Sequence, residues 1–217
     1  MNTEQVTNQD QQLTVAPKAA VSSPISFGST GVQLTSLEDA FRFAKAIVAS
    51  GFAPKGMDKP ESVLVALQWG AELGLTPMAA LSNIAVVNGR PSLFGDAALA
   101  LIRSSGQLES YAETEVGKRG SDDYGWKITA KRRGFSEQSE TFTVTDAKQA
   151  KLWGKQGPWS DYPARMLKFR ARGFLLRDMF GDVLKGLKTA EEVRDEPLNV
   201  TPVADKIAAG LTAQLQG

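Results

Sequence analysis

The chain has 217 residues with 42% hydrophobic content, and 25 lysines and arginines offset 24 aspartates and glutamates to leave a net charge of +1. It contains neither cysteine nor histidine, which excludes zinc sites of the usual kind, Ser-His-Asp and Cys-His catalysis, and a histidine general base. The composition is sufficient for the core of one domain and predicts no membrane-spanning helix and no disulfide, so a cytoplasmic location is expected.

The two ends of the chain differ in composition from its middle. Residues 1–33 are rich in Gln, Asn, Thr, Ser and Ala, which predicts a flexible tail, and their first twelve residues contain two acids and no apolar run, so no signal peptide is expected. Residues 197–217 are predicted to be a second flexible tail, within which Asp205–Leu215 is a candidate partner-binding segment. Residues 34–196 are therefore predicted to form the folded domain.

Start and stop signals predict helices in the first part of this domain. Ser36 and Asp39 form a capping-box pattern that opens a helix, and Gly51 ends it. Pro60 is a start signal for a second helix, which Gly74 stops. The apolar residues of both segments recur at helical spacing, so each helix is expected to bury one face.

A third helix, a hairpin and a fourth helix are predicted next. Thr76-Pro77 begins the short third helix. Asn88-Gly89 separates two short β-rich runs, and this dipeptide tolerates the positive φ angles that a tight hairpin turn requires. Asp96 is predicted to cap the fourth helix, which ends at Gly106.

The pattern then becomes β-rich. Three runs, at residues 108–116, 124–133 and 138–144, are separated by polar loops, which predicts an antiparallel meander. A loop broken by glycine and proline at residues 153–159 leads to a long helix at about residues 161–180. The predicted fold class is α+β, with a helical N-terminal half plus an antiparallel three-stranded meander packed on a long helix, a β-β-β-α core.

Positive charge is concentrated in one part of this near-neutral sequence. Between Lys148 and Lys188 there are ten basic and three acidic residues, a net charge of +7, and a second basic cluster follows the middle strand of the meander. Segregated positive charge of this kind is typical of a protein that binds a phosphate backbone. The predicted DNA-contacting cations are Lys131, Arg132, Arg133, Lys148, Lys151, Lys155, Arg165, Lys168, Arg170, Arg172 and Arg177.

The long helix is predicted to be apolar on two faces, with basic stripes between them. One face carries Leu167 and Phe174, and the roughly opposite face carries Phe169 and Phe180. We expect one face to pack on the sheet and the other to pack elsewhere, with a neighbouring subunit as one candidate. Few carboxylates lie near the stripes in sequence, which favours DNA binding over the alternative that these are solubilising charges with apolar stems.

Two tryptophans flank the loop before the long helix. Trp153 and Trp159 lie beside the basic segment, and an aromatic ring stacks on an unpaired base regardless of sequence. Both are candidate DNA-binding residues, and the alternative is that each fills the core.

No motif of a nucleotide-using or metal-dependent enzyme is present. Gly28-Ser29-Thr30-Gly31 lacks the lysine of a phosphate-binding loop, and Asp96, Asp122, Asp123 and Asp146 are scattered and typical of caps and turns. Neither enzymatic activity nor a cofactor or metal is expected.

Three blocks of the sequence resemble the RecT family of single-stranded-DNA-annealing recombinases of phages. Residues 62–81, with Gly74-Leu75-Thr76-Pro77, resemble the family's apolar helix followed by "QLGLEP". Ile102–Ser110 resembles its "RRSGQI-x-S" junction, and Gly157-Pro158-Trp159 before a basic helix is similar to its "GPW" loop. The order and spacing agree across residues 60–186. The chain departs from the family at Phe94–Ala97, where "GYRG" is expected.

The resemblance implies ATP-independent binding of single-stranded DNA and annealing of complementary strands in homologous recombination and repair. It also implies a homo-oligomer, a ring or a helical filament, that holds the strand or the annealed duplex intermediate in a positive groove. A phage 5′–3′ exonuclease and a host single-strand-binding protein are the implied partners, in a bacterial or phage-infected cell. The alternatives are a single-strand binder that does not anneal, a metal-dependent nuclease, and a structural phage protein.

Overall fold

The computed structural model describes residues 26–28, 31–87 and 89–196. Most of the predicted N-terminal tail and all of the predicted C-terminal tail, with its candidate partner-binding segment, lie outside the described residues. The tail prediction also covered Ser26–Gly28 (β1) and Gly31–Gln33 (β2), and these pair as a short antiparallel hairpin.

The helical half begins with the three predicted helices. These are Leu37–Ala49 (α1), Pro60–Glu72 (α2) and Pro77–Asn83 (α3). The side chain of Ser36 accepts a hydrogen bond from the backbone N–H of Asp39, so the capping residue was correctly identified. Proline is the first residue of both α2 and α3, where its missing N–H costs nothing.

The predicted hairpin and fourth helix follow. Ile84–Val87 (β3) pairs antiparallel with Arg90–Leu93 (β4), and Gly95–Ser104 (α4) comes directly after it. Phe94 is the cap residue of α4, so the prediction that Asp96 caps this helix is wrong. Asp96 lies in the first turn of α4, where its carboxylate accepts hydrogen bonds from arginines of another helix.

The antiparallel meander is present as predicted. Leu108–Val116 (β5), Gly125–Arg132 (β6) and Gln138–Thr143 (β7) form a three-stranded sheet in that order. Ala112 lies opposite Thr129, and Lys127 lies opposite Thr141. Because side chains alternate along a strand, one face of the sheet carries Ile128 and other buried residues, and the other face is open to solvent.

The chain then forms Val144–Gln149 (α5), Pro158–Asp161 (α6), Pro163–Phe180 (α7) and Ala190–Asp195 (α8). The long helix was predicted to begin near residue 161, and α6 is instead a separate turn. Tyr162, with φ −137° and ψ 55°, breaks the helical path between α6 and α7.

Both apolar faces of α7 are covered by this same chain. The ring of Phe174 packs edge-on against Phe142 of β7, with 5.9 Å between centroids. On the other face, Phe169 packs near Gly95 of α4, and Gly173 lies against α8. The architecture is therefore α+β, and the second face of α7 needs no neighbouring subunit to bury it.

Among the described helices, none is by itself long and apolar enough to cross a membrane. Helices α2 and α3 meet that test of length and composition only as a pair, which bends by 107° at its break.

Candidate nucleic-acid interface

Most of the predicted DNA-contacting cations are paired with carboxylates from distant parts of the chain. Nine of the eleven have a carboxylate oxygen within 4.0 Å: Lys131, Arg132, Lys148, Lys155, Arg165, Lys168, Arg170, Arg172 and Arg177. Their partners come from α4, β5, the β5–β6 turn, the segment after α7, and α8. The expectation that too few carboxylates surround this segment is therefore wrong, because it counted only neighbours in sequence.

Arg172 departs most clearly from its predicted role as a DNA-contacting residue. Its residue is 5% exposed, and its guanidinium binds Glu113 on β5 and, at 2.7 Å, Asp96 on α4. Tyr111 donates its hydroxyl to the same Glu113 carboxylate at 2.6 Å, and burial together with this hydrogen bond raises the pKa of Tyr111. Lys168 lies 3.2 Å from Glu113. Arg172 therefore holds α7 against the sheet and α4, and it does not face a DNA groove.

Three further arginines serve the fold in a similar way. Arg132 donates to both carboxylate oxygens of Asp182 and to the carbonyl of Met179, and its hydrogen bond lowers the pKa of Asp182. Arg170 binds Asp195 at 2.9 Å, and Arg177 lies 3.2 Å from the buried Glu192. Each guanidinium thus joins two elements or caps the end of one.

The two candidate tryptophans have different surroundings. Trp159 is 3% exposed, packs near Phe142, and donates its indole N–H to both carboxylate oxygens of Asp195 at 3.0 Å. It is a core residue, so its assignment as a base platform is corrected. Trp153 is 38% exposed on the loop after α5 and is free to stack on a base.

One group of the solvent-facing cations lies on the loop after α5 and in the first turn of α7. Lys151 and Lys155 lie on the loop that carries Trp153, and Arg165 lies in the first turn of α7 with its side chain 61% exposed. Lys151 has a φ of 57°, a conformation in which glycine is favoured, and no carboxylate of the described residues lies within ion-pair distance of it.

Lys155 and Arg165 border a cavity of about 340 Å³ between the start of α7 and α8, named the basic cleft, whereas Lys151 and Trp153 are not among its lining residues. Lys155, Arg165 and Arg194 supply its positive charge, and Tyr162, 68% exposed, supplies an aromatic ring. The Nζ of Lys155 is 3.8 Å from Asp195, and Arg165 is 3.4 Å from Asp96. The side chains of Lys155 and Arg165 are 45% and 61% exposed, and ion pairs this long hold them weakly, so both cations are available to a ligand.

A second set of cations lies on the solvent-facing side of the meander, the outer sheet face. Lys127 is exposed there with serine and threonine hydroxyls around it, while Lys131 binds Glu109 at 2.6 Å. Arg133, just after β6, is exposed and has no carboxylate within ion-pair distance among the described residues. Lys148 pairs with Asp122 at 2.7 Å near one end of this sheet.

A wide apolar groove lies at the opposite, helical end of the chain. It has a volume of about 840 Å³ and is formed by β2, the start of α1, α2 and the start of α3, with Leu34, Leu64 and Leu75 among its lining residues. Leu37 and Val65 are exposed along it.

The scattered aspartates have the local roles that the sequence indicated, apart from Asp96. Asp146 completes a capping box with Thr143 at the start of α5, and Asp122 and Asp123 lie in the turn between β5 and β6. No group of three acidic residues that could hold a metal ion occurs within residues 26–28, 31–87 and 89–196.

Sequence reasoning missed Tyr162, Arg194 and helix α8. The pattern Thr189-x-x-Glu192 was a usable signal, since the structure contains the full capping box there. It would have placed Arg194 on a helix, although not beside α7. For Tyr162 the usable signal was Pro163, which predicts a helix break at the preceding residue but does not predict that the Tyr162 ring is exposed.

No protein-family model matches this chain, and a search of curated proteins found none with significant similarity. The likeness to RecT proteins therefore rests on the three sequence blocks alone.

Proposed function

We propose that this protein binds single-stranded DNA at the basic cleft and the adjoining loop, and anneals complementary strands without a nucleotide. The observation that carries the proposal is the grouping of an exposed aromatic ring, Tyr162, with three exposed cations, Lys155, Arg165 and Arg194, around the cleft. The loop that supplies Lys155 also carries the exposed residues Lys151 and Trp153. Cations that bind phosphates and rings that stack on bases are the combination by which proteins hold single strands without regard to sequence.

The charge distribution around the cleft fits this role. Asp195 is engaged from the protein side by Arg170 and by the indole N–H of Trp159. The cations at the rim therefore keep most of their charge for a ligand. The first turns of α7 also line the cleft, and the positive end of this helix dipole favours an anion there.

Annealing requires that two like-charged strands approach each other. Phosphate contacts neutralise the charge while leaving base edges free to test for pairing. The absence of a phosphate-binding loop in the sequence agrees with an activity that uses no ATP. In this proposal the protein is a non-enzymatic, cytoplasmic recombination and repair factor that receives strands from a 5′–3′ exonuclease and acts beside a host single-strand-binding protein.

We also propose that the chain assembles into a homo-oligomer. Phe27 on the N-terminal hairpin is 82% exposed, and the apolar groove on the same chain is open. A protruding ring and a groove on one molecule can join copies head to tail, and such contacts generate rings or filaments.

A triple variant tests the binding site. The variant that combines Lys155→Gln, Arg165→Gln and Arg194→Gln should bind every single-stranded oligonucleotide more weakly. The slope of log K against log salt concentration should also fall by about 2, because each of the three lost phosphate contacts contributes about 0.7 to it. The matched control is Lys55→Gln, Lys59→Gln and Lys118→Gln, three exposed lysines far from α7 in sequence. Equal losses in the two triple variants would place the site elsewhere.

Pairing, cleavage and binding assays on the same oligonucleotides separate the alternatives. A binder that does not anneal would protect single strands without accelerating pairing. A nuclease would cleave labelled DNA with magnesium or manganese and lose that activity on a single aspartate substitution. A structural phage protein would show no salt-sensitive binding.

A further inference from the structure

The basic cleft has the dimensions of a small-ligand site and not of a duplex groove. Its volume of about 340 Å³ lies at the lower end of the range for small-ligand pockets. The cleft is closed below by Trp159, Met166 and Phe169, all of them buried. A chemical group that enters the cleft is removed from water and contacts these mainly apolar side chains.

The mouth of the cleft has one flat apolar ring and a rim of cations. Tyr162 stands exposed at the entrance, while Lys155, Arg165 and Arg194 lie around it. Arg194 is exposed, and its guanidinium carbon lies 5.8 Å from the centroid of the Phe94 ring. No carboxylate within the described part of the chain pairs with Arg194. A flat ring with cations on several sides suits an aromatic base with phosphates on its flanks.

The wall on the α8 side carries a hydrogen-bond acceptor. One carboxylate oxygen of Glu191 accepts the backbone N–H of Gly95 at 3.1 Å, the backbone N–H of Glu191 also donates to this carboxylate, and no described side chain does so. Burial raises the pKa of Glu191, as expected of a carboxyl group that lacks a close ion-pair partner. Its remaining acceptor positions are open to a donor that enters the cleft, such as the amino group of a base.

We propose that the basic cleft holds one unpaired base of the bound strand, stacked on Tyr162, with adjacent phosphates on Lys155, Arg165 and Arg194 and with Glu191 accepting a hydrogen bond from the amino group of the base. This inference rests on the proposed function, since it needs a single strand at the start of α7. It adds a preference that backbone contacts alone do not produce: bases with an exocyclic amino group are favoured over thymine.

The test compares oligo-dC with oligo-dT of equal length by fluorescence anisotropy. Cytosine and thymine are pyrimidines of similar size, and only cytosine carries an amino group. We expect the unmodified protein to bind oligo-dC several-fold more tightly. Glu191→Gln should reduce this preference, and because the glutamine oxygen can still accept from Gly95, the start of α4 should stay intact.

Tyr162 is tested in the same assay. Tyr162→Ala should weaken binding to both oligonucleotides about fivefold or more, the loss of one stacked base, whereas Tyr162→Phe should keep the affinity. The matched control is Phe135→Ala, which removes a ring that is 60% exposed in the β6–β7 turn and should leave binding unchanged. Circular dichroism and a melting curve establish that each variant is folded.

The outcomes separate the two proposals. If the unmodified protein binds neither oligonucleotide, the proposed function is wrong. If it binds both equally and Tyr162→Ala binds as well as the parent, DNA binding stands and the base site in the cleft is refuted. Loss of affinity in both Tyr162→Ala and Phe135→Ala would also refute it, because the effect would not be specific to the cleft.

Discussion

At the scale of single residues, burial separates the arginines that build the fold from the cations that are free to bind a ligand. Arg172 joins α7 to β5 and α4, whereas Arg165, two turns earlier on α7, keeps most of its side chain in solvent. The two arginines belong to one stripe of the helix and differ in burial, because the side chain of Arg172 is 6% exposed and that of Arg165 is 61% exposed.

Arg172→Met is predicted to lower the free energy of unfolding by about 3 kcal/mol, the lower end of the cost of breaking a buried ion pair. The lower end applies because Lys168, which lies 3.2 Å from Glu113, still provides a positive charge beside this carboxylate. Urea denaturation at neutral pH measures the loss. Arg165→Met, the control on the same stripe, should cost less than about 1 kcal/mol, and equal costs would show that Arg172 is not the structural one.

The two tryptophans give a spectroscopic prediction. Binding of single-stranded DNA is expected to change intrinsic fluorescence mainly through Trp153, which is 38% exposed, because Trp159 on the floor of the cleft is only 3% exposed and is held by Phe142 and Asp195. Trp153→Phe should remove most of this change, and Trp159→Phe should retain it. A signal that persists in Trp153→Phe would mean that a different ring reports on the DNA.

Glu140 makes stability depend on pH. Burial first, and then the nearby carboxylates of Asp178 and Asp146, raise the pKa of Glu140. Because the folded protein favours the protonated form of Glu140, this residue causes no loss of stability at low pH. As the pH rises through the pKa of the folded state, Glu140 becomes charged and the folded protein loses stability. Glu140→Gln should therefore melt at a higher temperature than the parent at neutral pH, with the difference narrowing towards about pH 4. A difference that widened at low pH would contradict this assignment.

At the scale of elements, close packing of α2 on α3 fixes the helical half. A methyl group built on Gly70 would lie only 2.2 Å from the Cβ of Ala80, so the two helices approach as closely as a glycine allows. Gly70→Ala should lower the free energy of unfolding by about 1–3 kcal/mol through overpacking, despite the better helix propensity of alanine. Gln68→Ala, on the exposed side of the same helix, is the control for the urea titration.

Local signals were enough to predict most elements. The capping residue Ser36, the Asn88-Gly89 turn and the alternation of the meander each act within a few residues, so sequence alone identified α1, the β3–β4 hairpin and the three-stranded sheet. The break at Tyr162 was missed, although Pro163 marks it. The residue before a proline disfavours the helical conformation, and proline is typical of the first position of a helix.

The sequence did not predict which charged residues form ion pairs with partners far away along the chain. Arg172 and Asp96 are 76 residues apart, and Arg132 and Asp182 are 50 residues apart. A count of charges along the chain therefore predicted one basic surface, while the structure leaves the exposed cations of the predicted set in two places, the basic cleft with its adjoining loop and the outer sheet face with its ends. Of the residues predicted to contact DNA, Lys151, Trp153, Lys155 and Arg165 are exposed, and the proposed site adds Tyr162 and Arg194 to them.

At the scale of the whole molecule, the proposed oligomer depends on the N-terminal hairpin and the apolar groove. Phe27→Ser should reduce the mass measured by light scattering towards the 23.3 kDa of the monomer, because it removes the exposed ring proposed to enter the groove of the next copy. Phe52→Ser removes another exposed ring and is the control. Equal masses for Phe27→Ser and the parent would show that the assembly uses a different surface.

The proposed function requires that the protein pairs the complementary strands that it binds. The direct measurement is the rate at which two complementary oligonucleotides, one carrying a donor dye and the other an acceptor, form a duplex without nucleotide. The protein should accelerate pairing, the rate should fall with salt, and the triple variant of Lys155, Arg165 and Arg194 should lose the acceleration. Tight binding of both strands with unchanged or slower pairing would contradict the claim and leave a single-strand binder that does not anneal.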